Sequence, residues 1–89
     1  MLKEAAVEIA KLEETLAREE REKERLAEQR ADLAEAARER GLMLARRGDF
    51  EAALRDFRHS LELTTDDWKH RQRVLADVAA IEQHTAAEQ

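Results

Sequence analysis

Along residues 1–40 the apolar positions recur with a heptad spacing. One set is Leu2, Ile9, Leu16, Lys23, Arg30 and Ala37, and the other is Ala5, Leu12, Glu19, Leu26, Leu33 and Arg40. Both sets are apolar for the first two and a half heptads, as the seam of a coiled coil requires. Glu19, Lys23 and Arg30 then fall on seam positions, and Leu26 and Leu33 restore the apolar character. This pattern predicts one uninterrupted helix. If it runs from residue 2 to Arg47 it is about 70 Å long at 1.5 Å per residue. The charged interruption has two readings: a solvated helix face held by pairs such as Glu19 with Lys23, or charges that fix register and partner number in a coiled coil.

The stretch Gly41–Leu63 has a different character. Gly48 is the small residue expected just past a helix end. Asp49 stands where an N-cap belongs, its carboxylate able to accept from the free N–H groups of the next turn. Phe50, Ala53, Leu54, Phe57 and Leu61 follow at helical spacing and form one apolar stripe. Thr64-Thr65-Asp66-Asp67 makes a second break, from which a third helix is expected to start near Asp66 or Asp67, with both carboxylates favoured by the helix dipole. Its apolar positions Val74, Leu75, Val78 and Ile81 share a face, and Trp68 is read as a packing or interface residue. The polar tail, Gln83 to Gln89, is expected to fray.

These residues resemble the tetratricopeptide repeat (TPR), a helix–turn–helix unit of about 34 residues. Gly41 falls on the family's small position in the first helix and Leu44 on its aromatic position. Gly48-Asp49-Phe50 is similar to the frequent Gly-Asp-Tyr turn, and Ala53 and Phe57 match the Ala and aromatic of the second helix. Ser60 stands at a later small position, and Leu61-Glu62-Leu63 resembles the usual helix end. The chain departs from the pattern at Ala37 (commonly Trp), Arg40 (commonly Leu) and Thr65 (commonly Pro). The resemblance spans Ala34 to Asp67, with the next helix in the place of a cap, where Leu75 occupies the position equivalent to Gly41. It implies a peptide groove lined by Glu35, Arg38, Leu42, Ala45 and Arg46, continued by Lys69, Gln72 and Ala76. The chain contains no Asn, so the carboxylate clamp of chaperone-binding members is in doubt, although Arg38, Arg46 and Lys69 suit an acidic peptide.

Composition narrows the function. With 42 % charged residues, 3 % aromatics, no Pro and two Gly, the chain has the make-up of coiled coils and long helices. Eighty-nine residues form at most one small domain, for which oligomerisation is a common source of extra burial. The absence of Cys excludes disulfides and thiolate metal sites. A formal charge of −5 argues against nucleic acid and anionic membranes as partners. No apolar run reaches membrane-spanning length, and the N-terminus lacks the apolar core of a signal peptide. A cytoplasmic protein, or a fragment of a larger one, fits these features.

Candidate chemistry is sparse. His70 and His84 stand roughly 21 Å apart along one helix, too far to share a metal, and His59, His70 and His84 are read as solvent-exposed. The carboxylates are spread along helix faces, there is no Gly-rich phosphate loop, and Ser60, the only Ser, occupies a packing position. No cofactor is implied, and the chain is read as a non-enzyme. Arg46-Arg47 suits a helix C-terminus. Lys69-His70-Arg71-Gln72-Arg73 is read either as a cluster neutralised by Asp66, Asp67 and Asp77 or as a docking patch for an acidic peptide.

The expected architecture is therefore all-α. A coiled-coil-like segment over residues 1–33 runs into a TPR-like hairpin with a C-terminal helix over 34–89. Three functions are compatible with it. The first is a homo-oligomeric scaffold associating through Leu2, Ile9, Leu12, Leu16, Leu26 and Leu33. The second is a peptide-binding adaptor using the groove above. The third is a regulatory stalk belonging to a larger protein.

Overall fold

The computed structural model describes residues 2–88, with side chains from Glu4 to Ala87. It is all-α, without strands among the described residues. Helix α1 spans Leu2–Arg46, α2 spans Phe50–Leu63 and α3 spans Arg71–Glu88. The 45 residues of α1 set the shape, and the molecule measures 75 × 17 × 17 Å.

The α1–α2 turn follows from Gly48 and Asp49. Gly48 has φ +83°, the left-handed conformation that costs a side-chain-bearing residue most. The Gly48 N–H donates to the Ala45 carbonyl at 3.0 Å and the Asp49 N–H to the Leu44 carbonyl at 2.9 Å. This pair of bonds satisfies two carbonyls the helix end would otherwise leave free. Asp49 then caps α2, its Oδ1 accepting from the Ala52 N–H at 3.5 Å.

The two helices pack as mirror images about that turn. Gly41 and Phe57 lie equally far from Asp49 in sequence, and the Phe57 ring rests directly on Gly41. Arg40 and Asp56 lie equally far from Gly48 and form a two-point ion pair, both bonds 2.8 Å. Phe57, Ala53 and Ser60 are buried on α2, Ala34 and Ala37 on α1, and Val74 and Ile81 on α3. The Ser60 hydroxyl is satisfied locally by the Phe57 carbonyl at 2.6 Å. Helix α3 lies along α2, tied at its far end by Arg58 to Glu82 at 2.7 Å.

Three expectations are corrected here. Helix α3 begins at Arg71, not at Asp66 or Asp67. The Thr65 hydroxyl donates to the Asp67 carboxylate, the Trp68 N–H bonds the Thr65 carbonyl at 3.1 Å, and the Arg71 N–H bonds the Trp68 carbonyl at 3.0 Å. These local bonds hold two successive turns where a helix was expected, the competition that Thr and Asp side chains offer to helical pairing. Leu75 does not join the buried face of α3 and is 38 % exposed; the α2-facing positions are Val74, Val78 and Ile81. The polar tail remains helical as far as Glu88.

Candidate functional site

Two surfaces stand out, and α1 contributes to both. The first is its bare length. Every described residue from Glu4 to Arg30 is exposed, because α2 and α3 cover only the last third of the helix. Ile9, Leu12 and Leu16 along that length, and Leu33 just beyond it, are 56–63 % exposed, and Leu26 is 43 % exposed. The side chain of Leu2, the first seam position, lies outside the described residues. Isolated exposed leucines are ordinary on protein surfaces, but five aliphatic residues at heptad positions on one helix form an apolar strip, interrupted by Glu19, Lys23 and Arg30. The charges between them are held by short-range pairs: Arg18 to Glu14 at 3.9 Å, Lys23 to Glu20 at 3.9 Å, and Arg25 to Glu22. The expected Glu19–Lys23 pair is replaced by Glu20–Lys23. The Arg25 guanidinium, donating to Glu22, holds that carboxyl below the ordinary value.

The second surface is an open cleft of about 720 Å³ where α1 meets the α2–α3 connection. Leu26, Ala27 and Ala31 form one wall, and Leu63 and Trp68 the other. Lys23, Arg30 and Lys69 at its edge are matched by Asp32, Glu35 and Asp67, so the rim selects neither charge sign. The Thr65 hydroxyl, donating to Asp67, keeps that carboxyl below the usual aspartate value.

The positions named for a peptide groove are dispersed. Glu35 and Lys69 both line the cleft. Leu42 and Ala45 are half-buried against the core, whereas Arg46 and Gln72 are exposed. Arg38 is half-buried, its Nε without a hydrogen-bond partner. The basic cluster before and within α3 is largely neutralised, as one of its two readings expected: Arg71 sits 3.4 Å from Asp66 and Arg73 3.7 Å from Asp77.

His70 departs from the solvent-exposed reading. Its side chain is only 22 % exposed, edge-on to Trp68 with ring centroids 5.4 Å apart, and its Nε2 lies 3.7 Å from Glu35 on α1. His84 packs edge-on to Phe50, centroids 4.9 Å apart, yet stays exposed, as does His59. Sequence reasoning missed Glu35–His70 and Arg40–Asp56 because both are long-range. The second was readable in principle, from the equal distance of its members to the Gly48 turn. Among the described residues no group of His, Asp or Glu side chains is placed to hold a metal ion, and no helix is long and apolar enough to cross a membrane. Comparison with protein-family models, curated proteins and solved structures finds no match to this chain.

Proposed function

We propose that the chain is an oligomerisation module, a homo-oligomeric helical scaffold in which α1 is the association element and a TPR-like hairpin closes one end. The observation that carries this reading is the exposed strip of Ile9, Leu12, Leu16, Leu26 and Leu33 on α1, whose described residues from Glu4 to Arg30 are all exposed. Burying a half-exposed leucine or isoleucine is worth on the order of 1 kcal/mol. Five such residues on each chain supply a substantial drive to associate. The TPR-like reading of the hairpin is supported by the Gly48 turn and by Phe57 lying on Gly41.

Light scattering across a dilution series tests the proposal. The expected mass is a multiple of 10.3 kDa that persists on dilution. Leu12→Lys places a charge in the strip of every copy and should weaken association more than tenfold. A wild-type monomer at millimolar concentration, or an unchanged Leu12→Lys assembly, refutes the reading. A second reading, a peptide-binding adaptor, is favoured by the cleft between Leu26 and Trp68. It requires instead a protein whose melting temperature rises when peptide is added.

A further inference from the structure

We infer that the second copy lies antiparallel on α1, in one register centred near Arg21, so that Glu19 faces the partner's Lys23. This rests on the oligomer reading above and adds the orientation and register. The seam is not apolar throughout: it carries Glu19, Lys23 and Arg30. Among the described residues Glu19 and Arg30 have no ion-pair partner within the chain, and Lys23 has only the 3.9 Å contact to Glu20. A closed two-fold dimer offers two arrangements. With parallel helices each residue meets its own copy, so the seam stacks Glu19 on Glu19, Lys23 on Lys23 and Arg30 on Arg30. Three layers of the seam then set like charges face to face.

With antiparallel helices the seam positions pair across the two sets. In the register centred on Arg21, Ile9 meets the partner's Leu33 and Leu16 meets the partner's Leu26, each occurring twice by symmetry. Between these apolar layers Glu19 meets the partner's Lys23, also twice. Arg30 lays its stem over the partner's Leu12, and its guanidinium reaches toward the partner's Glu8 and Glu13, which flank that leucine at the seam edge. Every charge that interrupts the strip thus finds an opposite charge on the second copy. Sliding by one heptad in either direction takes Lys23 off Glu19 and sets it on a leucine. One slide sets Glu19 against Leu16 and Lys23 against Leu12. The other pairs Glu19 with the partner's Arg30, but it sets Lys23 against Leu26 and asks the large Leu12 to reach Ala37, which is buried in the hairpin, where the proposed register brings only Ala5 there. Near the axis Glu20 and Glu22 approach their own copies, and each already has a cation on its own helix, Lys23 and Arg25.

The hairpin leaves room for this arrangement. Leu33 stays 59 % exposed although its neighbour Ala34 is fully buried, so as far as Leu33 the seam passes beside the α1–α2 contact, and it runs beneath it only beyond, at Ala37. A heptad seam drifts by about 20° per heptad around a straight helix, which carries the second copy along the flank of α2. The two hairpins then stand at opposite ends of the pair.

The chain has no Cys, so single cysteines can carry spin labels without interference. In the proposed register labels at Arg21→Cys lie level with each other, and labels at Glu4→Cys lie about 50 Å apart along the axis at 1.5 Å per residue. A parallel pair holds both label pairs level. Charge exchange gives an independent readout. Glu19→Lys should weaken self-association about tenfold, because two exposed attractions become repulsions, and adding Lys23→Glu should restore it. A dimer with equal, short distances at both sites, or a double variant that stays weak, overturns the orientation while the oligomer reading stands. A monomeric wild type overturns both.

Discussion

Gly41 is the position where the packing of the hairpin can be tested most sharply. A Cβ placed there would lie 2.8 Å from Cε1, 2.9 Å from Cδ1 and 3.2 Å from Cζ of Phe57. Carbon atoms in good contact sit about 3.5–4.0 Å apart, so the ring would have to retreat by roughly 1 Å. Phe57 is fully buried, so its ring can retreat only by displacing its packed neighbours. Overpacking of this kind costs about 1–3 kcal/mol. Against it, alanine is a better helix former than glycine by about 1 kcal/mol in a helix interior. The net expectation for Gly41→Ala is a loss of about 1 kcal/mol, or a melting temperature lower by about 4–8 °C for a chain of this size. The assay is thermal unfolding followed by circular dichroism, with wild type and variant at one protein concentration because the midpoint of a self-associating protein depends on concentration. A Phe57→Leu background supplies the control. With the ring gone, Gly41→Ala should become stabilising, although Phe57 truncation is itself costly, about 3–5 kcal/mol for Phe57→Ala. If Gly41→Ala stabilises the otherwise unaltered chain by about 1 kcal/mol, the Phe57 ring does not rest on Gly41 and the packing described here is wrong.

Two further predictions concern the turns. Gly48→Ala meets no neighbouring atom, so its whole cost comes from the left-handed backbone, about 1–2 kcal/mol; Gly48→Asn should cost less, and equal melting temperatures for the three proteins would refute the argument. Asp67 should titrate by NMR below the ordinary aspartate value and return toward it in Thr65→Val, since the Thr65 hydroxyl is the main cause of the shift. Because the folded value is the lower one, any stability linked to Asp67 is present above the unfolded value and lost as pH falls through the folded one. An Asp67 titration unchanged in Thr65→Val would show that the hydroxyl is not bonded there.

The helical hairpin was readable because its signals are local. Gly48, Asp49 and the stripe from Phe50 to Leu61 each act within a turn or two of chain, and the helix ends fall where those residues place them. The start of α3 was misplaced because Thr65, Asp66 and Asp67 suit a helix N-terminus and a tight turn equally well. The bond from Thr65 to Asp67 decides between them. Leu75 was misassigned for a different reason. Its spacing fits the apolar face, but α3 meets only α2 over most of its length, and one neighbouring helix needs only the narrow row Val74, Val78 and Ile81. His70 was read as exposed because its proximity to Glu35 arises from the way the α2–α3 connection returns to α1, which no local pattern encodes.

The confinement of the core to one end of α1 has a consequence for how that helix forms. Starting a helix is the unfavourable step, with a statistical weight of about 10⁻³, whereas lengthening an existing one is close to neutral. The hairpin supplies the start, because Ala34, Ala37 and Gly41 are fixed in helical geometry by packing against Phe57 and its neighbours. From there α1 grows toward its N-terminus one residue at a time, with little beyond intrinsic propensity and paired charges to hold Glu4 to Arg30. The helix length sampled by a lone chain therefore varies continuously with temperature, while the hairpin melts as a unit. In the proposed dimer, a second copy laid along the seam would complete the helix as it binds, so that folding of the N-terminal two-thirds of α1 and recognition of the partner become one equilibrium.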